Sequence, residues 1–389
     1  MLSSLYLHGS FYLDHIQMKT DYYYDGRQLH RAPTWPIWLC MALLSVCIPT
    51  KQIFSQQYLA FDHLEGMGLG AVTVTGIGEG PGGFLWLSSE QGLFRYDGYN
   101  FHAYTCPTLG QTASKDVQVT SLYSDSHKNV WAGTVLGYLL RYDPATDSMI
   151  VAWSPPRDAI SGRGYPQIRT ILEDTLRGHI WVAHSAGLLQ ISPDTIRVYS
   201  PNANLLPDHV MNHEIRSMVL HHNTIWLGYR DGWMSELDLD TLRFQHWNFS
   251  ESLNGEYAEI QRYVNGTHWI AGPSRGIYRF DPVSHTFTYE NIPSPIFQVC
   301  GILPREAGGL WIASGSGLIE WNPEQNHYRR YTHQLNDPLR SLPATPVKAI
   351  YQQHNTLWIG SGTEGLAKAG LDVPFQYARI NANAQSSEW

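Results

Sequence analysis

Cysteine is scarce in this chain of 389 residues, with Cys40, Cys47, Cys106 and Cys300 the only four. That excludes a disulfide-dense scaffold and a Cys-rich zinc module. Charge is sparse too, at 15 %, against roughly 25 % in an ordinary soluble domain. There is no basic excess: 26 Lys+Arg face 34 Asp+Glu, a formal net charge of −8. A nucleic-acid partner, which needs a basic stripe along the phosphates, is therefore not expected. No apolar run reaches the roughly 20 residues of a membrane-spanning helix. What the chain has instead is 14 Trp, 23 Tyr, 34 Gly and 22 Pro. Such a composition buries a large core between frequent turns and points to an all-β protein.

The most apolar segment, Trp35 to Pro49, follows Arg27 and Arg31 and precedes Lys51. At about 15 residues it has the charged start and apolar middle of a secretory signal peptide. Cleavage is expected after Ser55, although Ile53 is large for its position. A lipoprotein reading would use Leu44-Ser45-Val46-Cys47, where Val46 fits poorly, and a buried core helix is a further alternative. The leader Met1–His30 is long for a signal peptide, and Met18 and Met41 are alternative starts. The expected organisation is a leader and signal peptide over 1–55, a repeat domain over 56–378 and a tail or linker over 379–389, in a periplasmic or secreted protein. Cys40 and Cys47 would leave with the leader. The remaining pair, Cys106 and Cys300, is a weak framework for a disulfide.

Aligning the chain on Trp exposes a repeat. Trp86, Trp131, Trp181, Trp226, Trp269, Trp311 and Trp358 are spaced by 45, 50, 45, 43, 42 and 47 residues. Each unit has an alternating apolar run, a polar turn, the Trp strand, a turn with small residues, a Gly-apolar strand ending in Tyr-Asp-Gly or a variant, and a short aromatic strand. Period-two patterns between Gly, Asp, Asn and Pro are strands joined by hairpins. Four strands in about 45 residues is the grammar of a propeller blade. The expected fold is an all-β, seven-bladed β-propeller of four-stranded antiparallel blades, preceded by a signal peptide. The repeated Trp is expected in the core between blades, and the Tyr-Asp pieces in turns. Ring closure has two contenders for the outer strand of the last blade, Tyr58–Leu64 and Phe375–Tyr377.

The segment Gly83–Gly98 follows the pattern G-x-L-W-[IL]-x-[ST]-x-x-G-L nearly throughout, and Gly309–Leu318 and Leu357–Leu366 match it well. This pattern resembles the two-component-regulator propeller repeat, over about Tyr58 to Ala378. The Trp226 unit is the loosest copy, with Gly232-Trp233 in place of Gly-Leu. The resemblance implies the periplasmic sensor region of a hybrid histidine kinase of Bacteroidetes type, which has two such propellers, an immunoglobulin-like domain, a membrane helix and a kinase. This sequence has one set of seven repeats and neither a His-Glu-x-x-x-Pro phosphoacceptor nor an Asp-x-Gly-x-Gly loop. Kinase activity is therefore not carried over. A homodimer or a separate membrane kinase is the partner it implies.

No cofactor, metal site or catalytic residue is expected. Gly78–Gly83 fits G-x-G-x-x-G but contains Pro81 and leads into a Trp strand, so it reads as a turn rather than a nucleotide loop. His221-His222 lacks further ligands at metal spacing and reads as a turn. No nucleophile elbow or zinc-protease motif appears. The expected site is the face carrying the turns between the Trp and Gly strands, which vary from blade to blade. Glu90, His184, Tyr229, Arg230, Arg275 and Glu364 stand in or beside them as candidates for an oligosaccharide or another small polar ligand. The leading functional reading is a ligand-binding sensor without enzymatic activity. A protein-interaction scaffold and a propeller enzyme of lyase or glycoside-active type, using Glu90, His184 and Glu364, are the alternatives.

Overall fold

The computed structural model describes residues 22–24, 29–31, 59–64, 69–107, 117–156, 167–184, 187–199, 215–229, 232–249, 259–264, 267–272, 276–294, 296–334, 336 and 341–371. The chain divides into two units, Met1–Gln57 and Tyr58–Trp389. In the first, Tyr22–Tyr24 pairs antiparallel with Leu29–Arg31. The apolar run Trp35–Pro49, Cys40, Cys47 and the Ser55 cleavage point lie outside the described residues, as do Phe375–Tyr377 and the tail 379–389.

The second unit contains seven four-stranded antiparallel sheets. The Trp86 sheet shows the plan: Val74–Glu79, Leu85–Ser89, Gly92–Tyr96 and Phe101–Tyr104 pair in chain order. The first strands of the others are Val119–Ser124, Ile168–Asp174, Ile215–His221, Glu259–Val264, Val299–Pro304 and Val347–Gln353. Each first strand touches the first strand of the next sheet, and Val347–Gln353 touches Val74–Glu79, so these contacts run in a closed cycle. This is a propeller of four-stranded antiparallel blades, named below by their Trp.

Closure uses the early segment of the chain. Asp62–His63 pairs with Leu366–Gly370 as the fourth strand of the Trp358 blade, with Asp62 opposite Lys368 and His63 opposite Ala367. Leu59, Phe61 and Leu64 around it are buried.

The repeat grammar has a packing cause. The first residue of six inner strands is β-branched and almost fully buried: Val74, Val119, Ile168, Ile215, Val299 and Val347 are at most 3 % exposed. The residue two after each Trp is small: Ser88, Gly133, Ala183, Gly228, Ala271, Ala313 and Gly360. A Cβ on Gly133 would stand 2.4 Å from Ile168 Cγ2, and one on Gly360 2.7 Å from Val74 Cγ1. The small residues therefore lie in the Trp strand itself, where the β-branched residue of the following blade presses against it.

Each described Trp side chain packs into the next blade. Trp86 lies among Val130, Ala132, Leu140 and Tyr142. Trp131 meets Ile168, Ile180 and Val182, and Trp181 meets Ile215, Ile225 and Leu227. Trp226 meets Tyr278 and Phe280, Trp311 meets Val347 and Ile359, and Trp358 meets Val74, Leu85 and Leu87. The Asp residues ending the third strands close their turns. Asp97 Oδ1 accepts from the Tyr99 and Asn100 amides at 2.8 and 2.7 Å. Asp143, Asp238 and Asp281 accept from the amides of Ala145, Thr241 and Val283. These are Asx turns.

Candidate functional site

Antiparallel pairing sets the first residue of an inner strand opposite the last residue of its Trp strand. Val74 faces Ser89, Val119 faces Thr134, Val299 faces Ser314 and Val347 faces Ser361. The variable turns thus sit beside the loops that lead into the blades, on one end of the ring. Backbone bonds tie them there: Glu90 N to Thr73 O at 3.2 Å, Val135 N to Gln118 O at 3.0 Å, and Gly362 N to Pro346 O at 2.8 Å.

The turns are built from inside. Three residues after Trp, Ser89 Oγ accepts from the Gln91 amide and donates to the Gly92 carbonyl, both at 3.0 Å. Ser314 does the same with Ser316 and Gly317, and Thr134 with Tyr138. Ser361 Oγ accepts from the amides of Thr363 and Glu364 at 3.4 and 2.7 Å. In the three remaining blades this position is His184, Tyr229 and Gly272.

That position explains two corrections. Tyr229 is not at the funnel mouth. It is 1 % exposed, packs against Trp181 and Ile215, and its hydroxyl accepts from Ser235 Oγ at 3.1 Å. Burial pushes its phenol up to about 12. His184 is also buried, with its ring 5.5 Å from that of Trp153. Desolvation lowers it to about 4, so it is neutral at physiological pH. Both end a buried strand and do not line a turn.

Glu90 and Glu364 are exposed on neighbouring blades. Their turns share one anchor, since Thr73 O accepts from the Glu90 amide while Thr73 Oγ1 donates to Gly362 O at 2.5 Å. Arg230 and Arg275 lie outside the described residues. Gly78–Gly83 is a turn: Pro81–Gly83 is a short 3-10 segment, and Gly82 and Gly83 have φ of 73° and 77°. His221 ends an inner strand and His222 turns the chain with φ 52°.

The opposite end of the ring carries a chain of polar clasps that sequence reading missed. Lys128 Nζ of the Trp131 blade donates to Glu79 Oε1 of the Trp86 blade at 3.0 Å. Gln353 Nε2 of the Trp358 blade reaches Glu79 Oε2 and Gly83 O, both at 3.1 Å. The Ser126 amide and hydroxyl bind Glu173 of the following blade, both at 2.7 Å. Arg177 spans from Asp174 to Asn223 and Asp240 of the Trp226 blade. The Lys128, Gln353 and Ser126 clasps each join the end of an inner strand to a first hairpin turn, whereas Arg177, itself in such a turn, reaches two turns of the next blade. The visible signal is a polar residue ending most inner strands, but the partner is about one repeat away. Among the described residues, no group of three or more His, Cys, Asp or Glu could hold a metal ion, and no helix is long and apolar enough to cross a membrane.

No protein-family model matches the chain, and neither does any curated protein sequence. Solved structures do. The extracellular domain of the hybrid two component system BT3049 from B. thetaiotaomicron aligns with TM-score 0.67 and 22 % identity, over 81 % of this chain and 42 % of that one. The extracellular domain of the hybrid system BT4673 from the same organism aligns with TM-score 0.61 and 18 % identity, over 80 % of this chain and 40 % of that one. The chain thus spans about two fifths of the length of these two extracellular domains. Virginiamycin B lyase from Staphylococcus aureus aligns with TM-score 0.60 and 17 % identity, over 80 % of this chain and 99 % of the lyase. At these identities the likeness is one of fold.

Proposed function

We propose that the chain is an exported, seven-bladed sensor propeller that works by binding rather than by chemistry. The observation that supports this is the fold shared with the extracellular domain of a hybrid two component system over 81 % of the chain. The varied turns with Glu90 and Glu364, and with Arg230 and Arg275 of the same series, serve as its recognition face. Charge-assisted hydrogen bonds from such groups suit an oligosaccharide or another small polar ligand. Occupancy then shifts a conformational or association equilibrium, read out through a homodimer or a membrane kinase partner. The test is a thermal-shift screen of the full chain against oligosaccharides and small anions. A ligand that binds only the folded state stabilises by about 2.7 kcal/mol at a hundred times its dissociation constant. A shift abolished by Arg230→Ala or Arg275→Ala supports the reading. A folded protein that shifts with nothing overturns it.

A second reading rests on the match to virginiamycin B lyase over 99 % of that enzyme's length. A lyase would draw on Glu90 and Glu364, because buried His184 is not placed to meet a substrate at the surface. Incubation with virginiamycin B followed by mass spectrometry decides it. A product that forms with the parent chain and is lost in Glu90→Gln or Glu364→Gln would establish a lyase.

A further inference from the structure

Where the ladder to the Trp strand slips, each inner strand holds one extra residue. In six blades it directly follows the first residue of the strand: Thr75, Thr120, Arg169, Arg216, Cys300 and Lys348. In the Trp269 blade the slip falls later, between Ile260 and Arg262. The extra residues stand level around the ring, at the end that carries the variable turns. Thr75 Oγ1 donates to the Val119 carbonyl and Thr120 Oγ1 to the Ile168 carbonyl, each one residue before the neighbour's own extra residue. A short hydroxyl is thus enough to tie neighbouring inner strands together here. Three blades carry a long cation instead, and none of the six residues is acidic, in a chain whose net charge is −8.

Neighbouring inner strands approach within 8 Å between Cα atoms all round the closed cycle. Seven strands so spaced enclose a central channel no more than about 18 Å across between Cα atoms. Arg169 and Arg216 lie on adjacent strands, and Lys348 is three junctions from each, in opposite directions round the ring. The pair and the single cation therefore face each other across the axis. The blade junctions at this level are filled, as where Ile168 Cγ2 would stand 2.4 Å from a Cβ on Gly133, so a side chain longer than Thr extends into the channel. All three cations are half-buried. Lys348 makes no hydrogen bond or ion pair with the described residues, and a guanidinium has donors to spare beyond any single partner. Like charges gathered between such walls raise the local potential. In the described turns between the Trp and Gly strands, the carboxylates are Glu90 and Glu364, both exposed.

We propose that the channel mouth binds an oxyanion group, a phosphate, sulfate or carboxylate, between Lys348 on one side and Arg169 and Arg216 on the other. Planar guanidinium forks suit two oxygens of such a group, and the ammonium supplies the opposing charge. A neutral sugar gains nothing from this charge, whereas an anion does. The inference rests on the sensor reading in placing recognition at this end of the ring, but it moves the selecting charges from the turns of Arg230 and Arg275 to the inner strands.

Isothermal titration calorimetry on the full chain tests it, at fixed ionic strength, with inorganic phosphate, inorganic sulfate, glucose 1-phosphate and glucuronate against cellobiose. Lys348→Gln removes a charge that bonds nothing in the described fold, so its urea midpoint should match the parent. Lys348→Arg keeps the charge, and Arg169→Gln and Arg216→Gln remove the opposing ones. Lys128→Gln deletes a cation at the other end of the ring and should leave binding unchanged. The expected result is binding of at least one oxyanion, weakened about tenfold or more by Lys348→Gln and by at least one Arg→Gln change, kept in Lys348→Arg, and falling as salt is raised. Inorganic ions that bind as tightly as the sugar anions assign the site to a free ion, and sugar anions binding alone assign it to a charged saccharide. The proposal is overturned if no oxyanion binds, if cellobiose binds as well as the anions, or if Lys348→Gln binds as the parent does. Anion binding lost in Arg230→Ala or Arg275→Ala but kept in Lys348→Gln upholds the sensor reading and overturns this one.

Discussion

The Thr75 hydroxyl donates to the Val119 carbonyl of the next blade at 2.9 Å, and 45 residues later Thr120 makes the same bond to Ile168 at 2.6 Å. Both residues sit where the ladder to the Trp strand slips by one, between Val74 and Gly76 and between Val119 and Ser121. The slip leaves the side chain free to reach sideways to the neighbouring inner strand. Thr75→Val keeps the shape and deletes the donor. Because the hydroxyl also pairs with Ser88 Oγ at 3.0 Å, the change should lower stability by about 1–2 kcal/mol, the net value of one to two such bonds. Urea unfolding should show a lower midpoint at unchanged slope. An unchanged midpoint would mean that water replaces the hydroxyl at no cost.

Gly80 and Trp86 form a second dependent pair. A Cβ on Gly80 would stand 2.3 Å from Trp86 Nε1 and 2.6 Å from its Cδ1, while the indole is fully buried against the Trp131 blade. Gly80→Ala should therefore cost about 1–3 kcal/mol through displacement of the ring. Trp86→Ala should cost about 3–5 kcal/mol through the cavity it leaves. Near-UV circular dichroism would register the moved indole in the first variant, and equal losses in both would argue against this ordering.

His184 makes stability pH-dependent. Its folded value of about 4 lies below the unfolded value near 6.5, so the unfolded chain binds the extra proton between these limits. Stability contributed by the neutral ring is complete above pH 6.5, falls as the pH drops, and reaches its floor near pH 4. For this mostly buried ring the loss is on the order of 3 kcal/mol. His184→Gln should flatten the profile in that window. A parent protein equally stable at pH 7 and pH 4.5 would contradict the burial argument.

Local grammar was legible in the sequence because it recurs within single hairpins. The Trp positions, the Asx turns at Asp97, Asp143, Asp238 and Asp281, and the antiparallel order of strands need only neighbouring residues. Contacts between blades were not legible. The Glu79 to Lys128 and Ser126 to Glu173 clasps join different repeats, and a charged residue ending a strand does not name its partner. The site reading erred at His184 and Tyr229 for a related reason. Three residues after Trp, the turn needs a short hydroxyl, as Ser89 and Ser314 supply it. A longer side chain there looks like a varied turn residue, yet the strand pairing carries it into the core. Gly133 and Gly360 were visible as small residues, but their cause, the β-branched residue of the following blade, lies far along the chain.

Ring closure gives the last prediction. Asp62–His63 completes the Trp358 blade, His63 Nε2 stands 2.8 Å from the Ser341 carbonyl, and Phe61 meets the Tyr331 ring edge-on at 5.5 Å. Leu59, Phe61 and Leu64 are each under 9 % exposed. At about 1.5–3 kcal/mol for each buried side chain, losing the segment forfeits on the order of 5 kcal/mol and bares the edge of Leu366–Gly370. A chain starting at Gln56 keeps this strand, whereas one starting at Glu65 lacks it and should aggregate through the open edge. A synthetic peptide of residues 56–65, added in trans, should restore a monomeric species in light scattering by reoccupying that edge. Equal melting temperatures for the two truncated chains would show that closure does not depend on the strand.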